Sequence, residues 1–174
     1  EKLKYPIGRF VKSEIITSEM RNNFICEINY FPQKLKQEVN NLNDEQLNTQ
    51  YRPDGWTIRQ VVNHCADSHM YSLVRFKLAL TEDTPTIKPY WEDRWAELED
   101  SKNFSISSAL KMIEGIHERW AALLNSFSEN DWSKSFYHPE SQKEIKLDEN
   151  LSIYAWHCKH HLAHIKELKK SKNW

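Results

Sequence analysis

The sequence predicts an all-α fold, a four-helix bundle with a small hairpin or irregular excursion before the last helix. Three observations predict it. Only three glycines and six prolines occur among 174 residues, so few breakers interrupt the chain. Side chains that cap helices stand directly before long segments in which apolar residues recur every three or four positions. Four such segments, one long connection and no internal repeat indicate a single bundle domain over residues 1–174.

The first long helix follows an irregular stretch at 1–16. We expect it to begin at Thr17 or Ser18 and to end near Leu42. Pro32 lies inside this segment, and because proline lacks an N–H group it predicts a kink or a break there.

The second long helix has the clearest start. A short helix or turn at 43–46 and a loop at 52–55 precede it. Thr57 caps the helix, and Gln60 three residues later completes a capping box. The pattern predicts a helix over 58–80.

The third long helix follows a loop at 84–89 and a short helix at 91–99. It begins at Ser105 or Ser107 and ends near Phe127.

The last part of the chain combines an excursion with a helix. Ser128 starts a short turn that ends at Asp131, and 136–147 mixes β-forming residues with a turn, which predicts the hairpin or irregular excursion. Asp148 is expected to cap the last helix, over 149–170.

Composition excludes several classes of function. The 24 Lys and Arg residues nearly balance the 25 Asp and Glu residues, and a net charge of -1 predicts no nucleic-acid partner. No apolar run approaches the ~18 residues of a membrane span, and the first residues lack the apolar core of a signal peptide. The cysteines Cys26, Cys65 and Cys158 show no CxxC spacing. They indicate free thiols in a reducing cytoplasm.

Histidine is the residue type that points to chemistry. Two pairs with four-residue spacing lie in the last predicted helix, His157 with His161 and His160 with His164. Residues four apart are neighbours on a helix, so either pair is able to present two imidazoles to one metal ion.

Helical phase separates the two pairs. His161 lies roughly 60° and His157 roughly 100° from the centre of the apolar stripe, whereas His160 lies roughly 160° and His164 roughly 120° away. A metal site needs a packed surrounding shell, which favours His157 with His161. Trp156 makes the far side apolar as well, so the second pair stays open as an alternative.

A third ligand must come from another helix. His64 flanks the apolar stripe of the second helix, whereas His69 lies inside it, as a hydrogen-bonded core histidine commonly does. Cys65 with His69 is a rival ligand pair, because thiolate binds zinc well. His117 and His138 are expected on the surface or in loops. Spacing alone leaves metal binding and a solvated, titratable helix face as equal alternatives.

Whole segments carry a family resemblance. The run 55–70 resembles the first metal-ligand helix of the DinB superfamily, and within it the match to the YfiT-like subfamily is closer. Five further segments fit that subfamily: Tyr5 to Gly8, Arg75 to Leu78, Thr81 to Pro85, Tyr137 to Glu140, and Tyr154 to Ile165.

The resemblance implies a DinB-like four-helix bundle that holds one divalent transition metal per chain, zinc or nickel, through His64, His157 and His161. It also implies a metal-dependent hydrolase that forms a homodimer. Relatives in the wider superfamily are thiol S-transferases that use low-molecular-weight thiols such as bacillithiol. Cys65 departs from the aliphatic residue common at its position, and this puts no ligand in doubt.

Three neutral imidazoles leave a bound ion its full charge and an open position, which suits the activation of water or of a thiol. No HExxH motif fixes a general base; Asp67 and Tyr71 lie about one turn from His64, and we assign neither. The hypotheses are a metal-dependent hydrolase, a metal-dependent thiol transferase and a non-catalytic metal-binding protein. The partner is an unknown small-molecule substrate, with a low-molecular-weight thiol as one alternative.

Overall fold

The computed structural model describes all residues, 1–174, and its regular elements are eight helices and one two-stranded sheet. The helices are α1 (Ser18–Val39), α2 (Asp44–Leu47), α3 (Ile58–Thr81), α4 (Glu92–Trp95), α5 (Glu99–Lys102), α6 (Ile106–Asn125), α7 (Glu129–Ser133) and α8 (Leu147–Lys172). The strands are β1 (Ser135–His138) and β2 (Lys143–Lys146). This architecture confirms the predicted all-α bundle with an excursion before the last helix. No helix is long and apolar enough to cross a membrane.

The four long helices surround one hydrophobic core. Helix α1 packs on α6 and α8, and α3 packs on the same two helices. Consecutive long helices α1 and α3 therefore lie diagonally opposite each other, as do α6 and α8. The largest fully buried side chains include Phe31 on α1, Phe76 on α3 and Trp120 on α6. Helices α3 and α8 are therefore neighbours, so histidines on their facing sides are able to approach each other.

The caps explain where α3 begins. The Thr57 hydroxyl accepts a hydrogen bond from the Gln60 backbone N–H at 3.2 Å, and the Gln60 side chain accepts one from the Thr57 N–H at 3.0 Å. The predicted capping box is present, so two of the N–H groups that a helix start leaves without partners are satisfied. Gln60 also donates to the carbonyl of Ala96 at 2.8 Å, which attaches the 91–99 segment to α3.

Three local details differ from the predictions. Pro32 does not break α1, which runs unbroken through it, because buried Phe31 and Leu35 hold both sides of the proline in the core. The short helix predicted at 91–99 is α4, and a second short helix, α5, follows it. Asp148 is not the cap of α8: the helix begins at residue 147, two residues before the predicted start, and the Asp148 carboxylate accepts from the next backbone N–H at 2.7 Å.

The excursion before α8 is an antiparallel hairpin. Ser135 pairs with Lys146 and His138 with Lys143. An isolated parallel bridge also joins Thr86 to Tyr137, so the loop after α3 is fixed to the hairpin. These contacts place the 84–95 segment and the hairpin beside the ends of α3 and α8.

Candidate metal centre

Three histidine rings converge between α3 and α8. The Nε2 atom of His157 lies 3.1 Å from Nε2 of His64 and 3.1 Å from Nε2 of His161. The rings of His64 and His161 are 4.8 Å apart between centroids. The structure therefore brings together the three side chains that the sequence singled out, one from α3 and two from one face of α8. Their role as metal ligands stays a prediction.

The donor set fits a divalent transition metal. Nitrogens that each lie 2.0–2.1 Å from one ion are separated by about 3.0 to 3.4 Å, and the observed separations are 3.1 Å. Burial lowers the pKa of His64 to about 3, and it lowers the pKa values of His157 and His161 well below the usual range. All three imidazoles are therefore neutral near pH 7 and keep a lone pair, which coordination requires.

A chain of hydrogen bonds behind His157 fixes which of its nitrogens carries the proton. Nδ1 of His117 lies 2.6 Å from the Ile28 carbonyl, Nδ1 of His69 lies 2.7 Å from Nε2 of His117, and Nδ1 of His157 lies 3.0 Å from Nε2 of His69. A carbonyl oxygen only accepts, so His117 donates from Nδ1. A neutral ring has one N–H group, so Nε2 of His117 accepts from Nδ1–H of His69, and Nε2 of His69 in turn accepts from Nδ1–H of His157. His157 therefore donates from Nδ1 and is left with a bare Nε2 facing His64 and His161.

Pro32 explains why a helical carbonyl is free to receive this chain. In a regular helix the N–H of residue 32 would donate to the carbonyl of residue 28. Proline has no N–H group, so the Ile28 carbonyl lacks that partner and His117 takes its place. The residue that looked like a helix breaker thus leaves a buried acceptor for the histidine chain.

One expectation about the other histidines was wrong. His117 was expected on the surface or in a loop and is 1% exposed, on the inner face of α6. The far side of α8, which Trp156 makes apolar, is packed as well: the N-terminal segment and Trp156 cover His160 there, and it is buried. The ring of Tyr5 lies 5.7 Å from that of His160, and Trp156 stacks on it at 4.4 Å.

The second predicted pair, His160 with His164, lies beside the centre. Together with His161 these two rings form another group of imidazole nitrogens within 4.8 Å of one another. His164 donates from Nε2 to the Lys4 carbonyl at 3.1 Å and stacks on Tyr51 at 4.0 Å. Burial lowers the pKa of both His160 and His164 to about 4. Both residues of the pair line the cleft in front of the first group.

The rival pair of Cys65 with His69 is not brought together as a ligand group. Cys158 lies with His69 and His117 instead. Burial raises the pKa of Cys65 and of Cys158, so both remain thiols and neither supplies the thiolate that zinc prefers.

A cleft of about 450 Å³ opens onto the three histidines. Trp56 lies over His64 with 4.7 Å between ring centroids and shields one side. The cleft is also lined by Glu92 and Asp93, which sequence reasoning missed. They come from the short α4 segment, and only the folding of 84–95 over α3 brings them to the histidines. Asp67, in contrast, does not line the cleft, and its pKa is raised to about 6 by burial and by Asp100.

Comparison with known proteins identifies the family. The sequence model of the DinB superfamily matches residues 28–165 of the chain. The chain belongs to the DinB superfamily. This confirms the resemblance seen in the sequence, and the matched range contains all three convergent histidines of this DinB protein.

Relatives of this DinB protein carry similar names. It is 46% identical over 172 residues to "Putative metal-dependent hydrolase YfiT" of Bacillus subtilis, which covers 99% of the chain and 97% of the relative. It is 52% identical over 171 residues to "Putative metal-dependent hydrolase OB0782" of Oceanobacillus iheyensis, with 98% of each covered. A relative in Bacillus cereus strain 03BB102 shares 51% identity over 172 residues, with 99% of the chain and 98% of the relative covered.

A solved structure agrees with the fold in detail. YfiT from Bacillus subtilis superposes with a TM-score of 0.97 at 46% identity, and the match covers 100% of this chain and 99% of that one. That protein is described as "a probable metal-dependent hydrolase with an unusual four-helix bundle topology".

Proposed function

We propose that this DinB protein is a metal-dependent hydrolase that holds one zinc or nickel ion per chain through His64, His157 and His161. The observation that carries the proposal is the convergence of three neutral imidazole rings. Nε2 of His157 lies 3.1 Å from Nε2 of each of the other two, at a cleft that carboxylates also line. A divalent ion bound there supplies a Lewis acid that lowers the pKa of water to about 7 when the ion is zinc.

The residues around the centre have separate tasks. His157 is oriented by His69, which accepts its Nδ1–H, and so presents Nε2 to the ion. Trp56 and the stacked Trp156 exclude water from two sides of the cleft. Glu92 is the candidate proton acceptor, because it lines the cleft and because partial desolvation and the neighbouring Asp93 raise its pKa above the ordinary value of a glutamate.

A thiol S-transferase is the second candidate function. Three neutral donors and no ligand carboxylate leave the full positive charge on the ion, and such a centre stabilises a thiolate as well as it stabilises hydroxide. In that case the substrate pair includes a low-molecular-weight thiol. A carboxylate in the cleft favours hydrolysis, because hydrolysis needs a group that accepts a proton from the attacking water. Thiol transfer involves no attacking water. A homodimer and a cytoplasmic setting belong to the same proposal.

The experiment compares both reactions in one preparation. Untagged protein is analysed for metal, loaded with zinc or nickel, and assayed against ester and amide panels and for conjugation of monochlorobimane to small thiols. Hydrolysis that disappears on chelation supports the proposal. Thiol conjugation without hydrolysis would establish the second candidate instead, and loaded protein inert in both assays would leave a non-catalytic metal-binding protein.

Variants of the two cleft carboxylates sharpen the test. Glu92→Gln is expected to reduce turnover by roughly 100-fold or more while metal content stays the same, since general base catalysis contributes about that much. Asp93→Asn is the matched control from the adjacent position of the same cleft. Equal turnover in wild type and Glu92→Gln would show that Glu92 is not the proton acceptor. It would leave the proposed metal site unchanged.

A further inference from the structure

A second cavity, of about 550 Å³, lies beside the metal cleft and contains an arginine without a partner. Arg75 is half-buried; it makes no hydrogen bond and no ion pair within the protein, and its Nε atom is enclosed. Its guanidinium lies over the ring of Phe136, 6.0 Å from the centroid. Buried charged donors are normally paired, because leaving them unpaired costs free energy. An unpaired guanidinium that lines a cavity therefore indicates a place for an anion.

A second donor lines the same cavity. The Tyr90 hydroxyl is buried without a hydrogen-bond partner, and its ring is held by stacking on Tyr71 at 4.5 Å. The cavity also reaches Ser68 and Tyr154, whose hydroxyls are already satisfied: the Tyr154 hydroxyl donates to the Ser68 carbonyl and accepts from the Ser68 hydroxyl, each at 3.2 Å. Two unsatisfied donors, one of them cationic, thus line the same cavity.

The other charges of the cavity limit which anion fits. Glu92, Asp93 and Glu140 also line it, and none of them forms an ion pair with Arg75. Arg94 lies over the exposed Trp91 ring at 4.1 Å. Three carboxylates repel a doubly charged phosphate more strongly than a singly charged carboxylate. The acidic rim instead suits amino or hydroxyl groups of the ligand.

The cavity adjoins the metal cleft, because two residues line both. His64, Ser68 and Arg75 follow one another on one face of α3, because separations of four and seven residues keep a helical face. The span from residue 64 to residue 75 is roughly 16 Å along the helix. On α8 the ring of Tyr154 lies 5.4 Å from that of His157, and Glu92 and Asp93 line both cavities.

We propose that this cavity binds the carboxylate of a small organic substrate, to which the Arg75 guanidinium and the Tyr90 hydroxyl donate charge-assisted hydrogen bonds. The planar guanidinium fork matches a carboxylate in two places. The remainder of such a substrate extends along α3 toward His64. As a substrate subsite the cavity rests on the proposed hydrolase function, whereas carboxylate binding itself does not.

The experiment measures binding of two ligands with a single carboxylate, butyrate and 4-aminobutyrate, to the full chain by saturation-transfer NMR and calorimetry. Both metal-free and zinc-loaded protein are used, because a carboxylate is also able to ligate zinc. Arg75→Met is expected to weaken binding by roughly 10- to 100-fold in both forms, as loss of a charged hydrogen-bonding pair does. Arg75→Lys keeps the charge without the planar fork, and its affinity for the carboxylate is expected to lie between those of wild type and Arg75→Met. Lys77→Met, an exposed charge loss on the same helix, is the control and leaves binding within about twofold.

Several results would overturn the proposal. One is carboxylate binding that is equal in wild type, Arg75→Met and Arg75→Lys. Another is binding only to zinc-loaded protein, which would assign the carboxylate to the metal. Saturation by inorganic phosphate in place of the carboxylates would overturn the choice of anion. If Arg75→Met does not fold, Tyr90→Phe provides the test, with an expected loss of about fivefold. Absence of any turnover would defeat the hydrolase proposal and leave these binding results unaffected.

Discussion

His117 donates from Nδ1 to the carbonyl oxygen of Ile28 across 2.6 Å, inside the core, and His69 lies between it and His157. This contact sets the direction of every hydrogen bond that follows toward the centre, because a carbonyl is never a donor. Metal-ligating histidines commonly donate their second nitrogen to a carboxylate or a carbonyl. Here two further histidines, from α6 and α3, connect His157, the proposed ligand on α8, to the backbone of α1. All four long helices therefore take part in fixing one imidazole.

His69 is expected to control metal affinity without being a ligand. His69→Phe keeps a ring in the core but removes the acceptor of the His157 Nδ1–H, so His157 loses its fixed tautomer. We expect zinc affinity to fall by about 10- to 100-fold, the usual effect of losing such a partner. A chelator competition titration measures it, and circular dichroism reports whether the variant is folded. Undiminished affinity in folded His69→Phe would show that the hydrogen-bond chain does not orient the ligand.

Measuring bound metal in variants distinguishes the two histidine groups as metal sites, the group with His64 and the group with His160. His64→Ala is expected to reduce bound zinc from about one ion per chain toward zero, because two imidazoles alone make a weak site. His160→Ala is the matched change on the adjacent group and is expected to retain the ion. Elemental analysis after dialysis measures both. Retention of zinc by His64→Ala together with its loss from His160→Ala would move the centre to the second group.

The stability of the metal-free protein is expected to fall as the pH is lowered from about 6.5 to about 4. Burial lowers the pKa of His117, His160 and His164 from 6.5 to about 4 in the folded protein. Above pH 6.5 these groups are neutral in both states. Between the two values only the unfolded chain takes up the protons, so the free energy of unfolding decreases.

Urea unfolding at pH 7, 6 and 5 tests this dependence. His117→Leu removes one of the titrating groups and is expected to reduce the slope between pH 6.5 and 4. A midpoint that stays constant from pH 7 to pH 5 would contradict the assignment of buried, neutral histidines.

Local rules predicted most of what positions the centre. The Thr57 capping box fixes where α3 begins, and burial of the apolar stripe of α3 brings His64, which flanks that stripe, to the α8 side. Four-residue spacing places His157 and His161 on one face of α8. The rest depended on contacts between distant segments. His160 is buried because residues 1–10 return to cover it, which no periodicity within α8 encodes.

The carboxylates and the hydrogen-bond chain were missed for the same reason. Glu92 reaches the cleft through a loop that is fixed by Gln60 and by the hairpin, and neither contact has a local signal. His117 looked like a surface residue because its role needs a free carbonyl on another helix. The signal that was available is Pro32, since a proline inside a helix always leaves one carbonyl without its N–H partner.

Pro32→Ala separates the role of this proline in the site from its role in the helix. The new N–H group is able to donate to the Ile28 carbonyl, so it competes with His117 for that oxygen. At the same time α1 gains a hydrogen bond and loses a residue that is unfavourable in a helix interior. We therefore expect the melting temperature to rise and zinc affinity to fall by about two- to tenfold, the scale of one neutral hydrogen bond. Pro89→Ala, in the loop after α3, is the control. A general packing defect would lower both quantities, and a rise in both would show that the freed carbonyl has no part in orienting His157.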